Sequence, residues 1–475
     1  MRRHRLLVQT IAASMLIALA APVPVLAGGA PYRVKAFQRL SGPSPFAQGC
    51  PGPLDAFHVT GLDLEPSITS NPANPRNLVA TWKQDTGAAN ARSDAIAASR
   101  DGGRTWTRTD VPGLTPCTGG SADGASDPWV SAGADGIIHF IGAAGSYTSE
   151  PPPVAFLASR STDGGTRWSQ PITVAGADPS NDKPTITGDP YRARRGYATW
   201  SVWEHDLSAM PFANSIRFAR TDDGGLSWSG AVDIDRPPSN ALDLPSTIVV
   251  GRDAALIAVF ARISLLPDQT ATLEFLASRS GDGGRTWGAP VVIGSPPFMP
   301  VADPETGEGL PQPGFMTAAA ARDGRLYVAW ERDVAYGAGA IDVASSSDGG
   351  RSWRAAPLPG VGGYAFEPSL AVDDHGTVGI TWYDLRNDRL GDAALTADVW
   401  FARSRDGGAS WRQAHVAGPT DLRTSPAVSS NRVGEYQGLA AFGGRGFAAI
   451  FTLAAPYAVN GPTDEFFAQI GPGGE

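Results

Sequence analysis

Apolar residues in this chain come in runs of five to seven, cut by polar turns rich in glycine, aspartate and proline. Runs of that length predict β-strands and are too short for helices that pack a core. One set reads LVATW (78–82), IIHFIG (137–142), YATWSVW (197–203), LIAVFAR (256–262), LYVAW (326–330) and VGITWY (378–383). Each run follows another, beginning near EPSITS (65–70), DPWVSA (127–132), KPTITG (183–188), LPSTIVV (244–250), FMTAAAA (315–321) and EPSLAV (367–372). A third run comes next, such as AIAASR (95–100) or VWFARS (399–404), and a fourth follows a glycine turn. The chain thus predicts an all-β fold in which four antiparallel strands recur about every 60 residues.

The turn between third and fourth runs repeats most closely. Six segments share Ser/Thr-x-Asp-Gly-Gly-x-x-Trp: SRDGGRTW (99–106), STDGGTRW (161–168), TDDGGLSW (221–228), SGDGGRTW (280–287), SSDGGRSW (346–353) and SRDGGASW (404–411). A hydroxyl and a carboxylate can hydrogen-bond the turn backbone, two glycines allow positive φ, and the tryptophan fastens the turn to the next strand. The aspartates therefore read as turn architecture. A seventh set lacks the motif: YQGLAAF (436–442), GFAAIFT (446–452) and DEFFAQI (464–470) supply three strands. The fourth can come from YRVKAFQRL (32–40), closing a ring between the termini; six units with a packed tail is the alternative.

The six segments are similar to the Asp boxes of bacterial neuraminidases, and from about residue 60 onward the chain resembles the sialidase superfamily of β-propellers. That resemblance implies a β-propeller of seven four-stranded blades over residues 61–475, with residues 28–60 contributing the closing strand. In such a ring, first-strand starts and second-strand ends share the face opposite the boxes. First-strand starts give Glu65, Asp127, Lys183, Glu367, Glu435 and Tyr436; second-strand ends include Lys83, Asp85, Glu204, Arg262, Glu331, Arg332, Asp384 and Arg386. Paired carboxylates can act as acid and base on a glycosidic bond, and arginine can clamp a carboxylate bidentately.

The resemblance further implies a retaining exo-sialidase with a tyrosine nucleophile, an assisting glutamate, an aspartate acid/base and three arginines. Tyr436, in GEYQGLAAFGGRGFAAIF (434–451), matches the nucleophile position. Asp85, or less well Asp94, fits the acid/base. Glu331 or Glu204 fits the assisting carboxylate, because strand alternation turns the neighbouring Glu435 away from Tyr436. Arg262, Arg332 and Arg386 are the candidates for binding a sugar carboxylate. The family's first arginine corresponds to Leu64 in DLEPS, so one clamp is missing. Three readings follow: a sialidase-like exo-glycosidase, another glycan-cleaving enzyme, or a non-catalytic propeller that binds a glycan or protein.

Composition sharpens this picture in three places. Arg2, Arg3 and Arg5, the apolar stretch Leu6–Leu19 and Val25-Leu26-Ala27 predict a signal peptide over 1–27 and a secreted protein. Losing three arginines from 38 basic against 47 acidic side chains moves the net charge from −9 to −12, which excludes nucleic acid as a partner. Cys50 and Cys117, the only cysteines, predict a disulfide in an exported chain. No phosphate loop, nucleophile elbow, calcium loop or metal-spaced histidine set occurs, so no cofactor or metal is expected. A glycan partner, no membrane anchor and a monomer complete the expectation.

Overall fold

The computed structural model describes residues 32–46, 48–50, 58–87, 90–146, 152–203, 214–268, 270–299, 301–310, 315–335, 338–361, 363–427 and 432–473. The signal-peptide segment lies outside these residues. The strands form seven four-stranded antiparallel blades, so the six-bladed alternative does not hold. Two blades are linked through a single bridge, Ala91 to Ala125. The innermost strands of consecutive blades neighbour one another around a ring, and that of the last blade meets Leu64–Ser70 of the first. The described residues include two short 3-10 turns and no α-helix, hence none long and apolar enough to cross a membrane.

Between blades lies the core. Trp82, Trp200, Trp330 and Trp382, one position in four second strands, are almost wholly buried between adjacent sheets. The seventh blade stacks Gly438–Phe442, Gly446–Leu453 and Asp464–Pro472, with Tyr32–Arg39 as its outermost strand. Tyr32 opposes Pro472 and Arg39 opposes Phe466. Phe37 stacks on Phe466 at 5.3 Å, while Tyr32 reaches Phe401 of the sixth blade at 5.9 Å. Chain ends far apart in sequence thus share one sheet.

The box turns share one scheme, with the hydroxyl bond missing in the second, where Arg167 replaces Ser or Thr. In the first, Asp101 accepts from the Arg104 and Thr105 amides at 3.0 and 2.9 Å and from the Thr105 hydroxyl at 2.6 Å. Ser99 accepts from the Gly103 amide at 2.8 Å. The second box glycine has positive φ and lies against the preceding blade: Gly103 on Phe467, Gly165 on Val79, Gly284 on Phe218. A side chain there would be strained and would collide.

A different irregularity shapes the opposite face. The inner strands of four blades carry β-bulges at Glu65-Pro66, Asp127-Pro128, Lys183-Pro184 and Glu367-Pro368. Proline has no amide to give the ladder, and the residue before it adopts φ of 57°, 51°, 53° and 48° respectively. Left-handed backbone at a non-glycine residue costs about 1–2 kcal/mol. Here it recurs at four charged side chains around one channel. The fourth blade has Leu244 before Pro245 and no such outlier.

Candidate active site at the channel mouth

The central channel encloses a cavity of about 790 Å³. At the mouth opposite the boxes it is lined by Asp127, Trp129, Lys183, Phe315, Glu367, Glu435 and Tyr436. Carboxylate oxygens of Glu65, Asp127 and Glu435, from three blades, lie within 4.8 Å of one another. Lys83 bridges to Glu65 at 3.1 Å and Lys183 to Glu435 at 2.5 Å. The Lys183 ammonium also sits 4.8 Å from the Phe315 ring centroid. Such a group of close hard oxygens could also hold a cation.

Burial decides the protonation of this cluster. Desolvation pushes Glu65 up to about 7; Lys83 opposes the shift, and the charges of Asp127 and Glu435 add to it. Asp94 is raised well above its ordinary value by burial, despite Lys83, with Asp127 and Glu65 adding to the shift. Glu367 is raised by burial and by Glu331, Glu435 and Glu65. The Tyr436 phenol is likewise raised by burial and by Glu65, Asp127, Asp94 and Glu435. Its ring lies 5.3 Å from that of Trp129. Tyr436 is therefore a neutral hydrogen-bonding group in the resting site.

The sequence-predicted residues divide sharply. Tyr436 sits in the cluster. Glu331 acts on Glu367 rather than foremost on Tyr436. Asp85 is occupied elsewhere: its oxygens accept from Ser44 at 2.5 Å, the Gly61 amide at 2.8 Å, Gln84 at 2.9 Å and Arg92 at 3.1 Å. It anchors the N-terminal segment, and of the two sequence candidates Asp94 is the one in the field of Tyr436. Glu204 lies outside the described residues.

The three arginines do not converge. Arg262 is held by Asp243 at 2.8 Å and by Asp235; Arg332 by Asp342 at 2.9 Å; Arg386 by Asp384 at 2.5 Å, stacked on Trp400 at 3.8 Å. Each is paired with an acid of its own blade, and none lines the cavity. Glu435 also departs from expectation. The strand begins only at Gly438, and Gly434 has φ of 103°, so alternation does not govern residues 435 and 436 and both face the cluster. Lys83 and the charged residues before proline are the members that single-residue reasoning passed over as site residues. Their signal was the recurrence of EP, DP, KP and EP at four inner-strand starts.

Cys50 and Cys117 are joined, with Cα atoms 5.1 Å apart. The bond ties the segment that brings Ser44 to Asp85 to the connection between the first two blades.

No protein-family model and no curated protein matches the chain. Among solved structures, a protein of unknown function from Dyadobacter fermentans is similar at TM-score 0.50 and 11% identity, over 93% of this chain and 99% of that one. An alpha-L-arabinanase from Penicillium chrysogenum gives 0.46 and 14%, over 89% and 96%. A Hadza microbial sialidase gives 0.42 and 15%, over 86% and 66%. At these identities the first likeness shows the fold, an all-β propeller, and nothing finer.

Proposed function

We propose that the protein is a retaining exo-glycosidase whose reaction centre is the channel mouth. The observation that carries this reading is the convergence of Glu65, Asp127 and Glu435 from three blades. Glu65, with a pKa near 7, can hold a proton for the leaving oxygen at neutral pH. Asp127 lines the cavity with no ion pair among the described residues and is the nucleophile. The oxygen spacing is close to the roughly 5–5.5 Å of retaining enzymes and short of the roughly 6.5–9.5 Å that accommodates an inverting water. Lys183 pairs with Glu435 beside the developing oxocarbenium ion, and Tyr436 and Trp129 form one wall.

The sialidase reading places Tyr436 as nucleophile and needs arginines at this mouth. Of the mouth cations, Lys183 lines the cavity and Lys83 stands beside Glu65, and both are engaged by carboxylates; the lining arginines, Arg252 and Arg322, follow the far ends of the inner strands. A sugar without a carboxylate suits it better. The test is a panel of aryl glycosides and an aryl sialoside, with Glu65→Gln, Asp127→Asn and Tyr436→Phe beside the wild type. Turnover of a non-sialic glycoside lost in Glu65→Gln and Asp127→Asn supports the proposal. Sialoside turnover lost in Tyr436→Phe transfers it to the sialidase reading, and no turnover of any substrate leaves a binding propeller.

A further inference from the structure

The mouth holds more carboxyl groups than two acid/base roles require. Glu65, Asp94, Asp127, Glu331, Glu367 and Glu435 act on one another there, against Lys83 and Lys183. Both ammonium groups are already bridged, Lys83 to Glu65 and Lys183 to Glu435. Yet Oε2 of Glu65, Oε2 of Glu367 and both carboxylate oxygens of Asp94 are buried with no hydrogen-bond partner. These side chains are at least nine-tenths buried: Glu65 is 6% exposed, Glu367 4% and Asp94 0%. Glu367 lines the cavity directly, and the Glu65 carboxylate belongs to the group formed with cavity-lining Asp127 and Glu435.

A buried carboxylate oxygen without a donor is costly, and the cost is relieved by a ligand that brings donors and positive charge. An ammonium group supplies three N–H donors and one charge in a compact head. The same mouth presents the Trp129, Phe315 and Tyr436 rings, whose faces attract cations and pack on sugar rings. A sugar carboxylate would meet carboxyl groups of its own sign.

We infer that the channel mouth binds a protonated amine on its sugar ligand, making glycans that end in a free, non-acetylated amino sugar the substrate class. The assignment as substrate rests on the glycosidase reading; the assignment as ligand does not. The N-acetyl form of the same sugar loses the charge and two of the three N–H donors, and the parent hexose carries a neutral hydroxyl instead. Charge-assisted hydrogen bonds to buried carboxylates are strong enough to separate them by about tenfold to a hundredfold in affinity.

The experiment is calorimetric titration of the full chain with glucosamine, galactosamine and mannosamine, each against its N-acetyl form and its parent hexose. At least one amine is expected to bind tenfold or more tighter than both counterparts. Glu367→Gln is expected to shrink that preference, with circular dichroism confirming the fold; Asp94→Asn serves if Glu367→Gln fails to fold. Equal or weaker binding of all three amines overturns the inference. So does saturable binding of calcium chloride that displaces the amine, which would assign the carboxylates to a divalent cation. Hydrolysis of neutral glycosides without amine preference removes this inference and keeps the glycosidase, whereas amine binding without any hydrolysis does the reverse.

Discussion

Acidic side chains serve opposite ends on the two faces of this ring. On the box face, Asp101 is half-buried and its pKa is lowered to about 2, first by the Thr105 hydroxyl and then by the Thr105 amide. At the mouth, Glu65 is buried and raised to about 7, with desolvation the largest cause. The box aspartate is a charged acceptor whose donors all lie within its own turn, so nothing remains for a ligand. The mouth carboxylates are drawn from blades distant in sequence, on backbone held at positive φ, and some of their oxygens stay unsatisfied. Positive φ at charged non-glycine residues recurs at the mouth, whereas the box aspartates are satisfied within their own turns.

The largest expected effect separates the faces by activity. Under the glycosidase reading, Glu65→Gln and Asp127→Asn each lower kcat by about 10²–10⁴ with the fold retained. Asp282→Asn, in the fourth box, leaves kcat unchanged and lowers the melting temperature. Steady-state kinetics with thermal denaturation of the three variants decides this. A box variant that loses kcat while melting like wild type would erase the distinction.

This division explains what was legible in the sequence. The blades were, because each box is local: Ser99, Asp101, Gly103 and Trp106 fall within eight residues, and the first three satisfy one another. The closing strand was legible because the seventh set lacks a fourth strand and Tyr32–Arg39 alternates as an outermost strand does, against a partner, Asp464–Pro472, that is buried almost throughout. The site was legible only in outline. Tyr436 could be placed by motif, but whether Asp85 or Asp94 faces it depends on which carboxylate Ser44, Gly61 and Arg92 consume. The arginines misled for the same reason: Arg262, Arg332 and Arg386 stand at strand ends, and partners in their own blades hold them there. Such non-local satisfaction has no sequence period.

The disulfide sharpens the comparison next, because it belongs to the mouth side. Cys50–Cys117 closes a 67-residue separation, and the chain-entropy model gives it roughly 4 kcal/mol. Cys50→Ser with Cys117→Ser is expected to lower stability by up to that amount, read by denaturant titration. If the double variant is as stable as wild type, the Asp85 network alone secures the N-terminal segment.

A smaller loss should come from the box face without any change of charge. Gly284 has φ of 84°, and a Cβ there would strike the Phe218 ring of the preceding blade. Left-handed strain and displaced packing together predict about 2–3 kcal/mol for Gly284→Ala. Gly230, with open space around it, is the control. Equal melting temperatures for Gly284→Ala and Gly230→Ala would show that the box turn does not fasten neighbouring blades.

The gentlest probe is pH, because the same proton moves the two faces in opposite directions. Glu65 is raised from 4.5 to about 7, so its contribution to stability is fully present below 4.5 and is lost as pH rises through 7. Asp101 is lowered from 3.8 to about 2, so its contribution is present above 3.8 and is lost as pH falls through 2. Glu65→Gln should therefore gain on wild type in melting temperature between pH 4.5 and 7, and Asp101→Asn should fall behind wild type above pH 3.8 and converge with it toward pH 2. In activity, the acid role of Glu65 requires its proton, so kcat/KM should fall about tenfold per pH unit above 7. A basic limb that begins well above 7, or persists unchanged in Glu65→Asp, would assign the general acid to another residue. Coincident stability profiles for wild type and Glu65→Gln would show that this carboxyl is solvated and that the contrast between the two faces fails at its central residue.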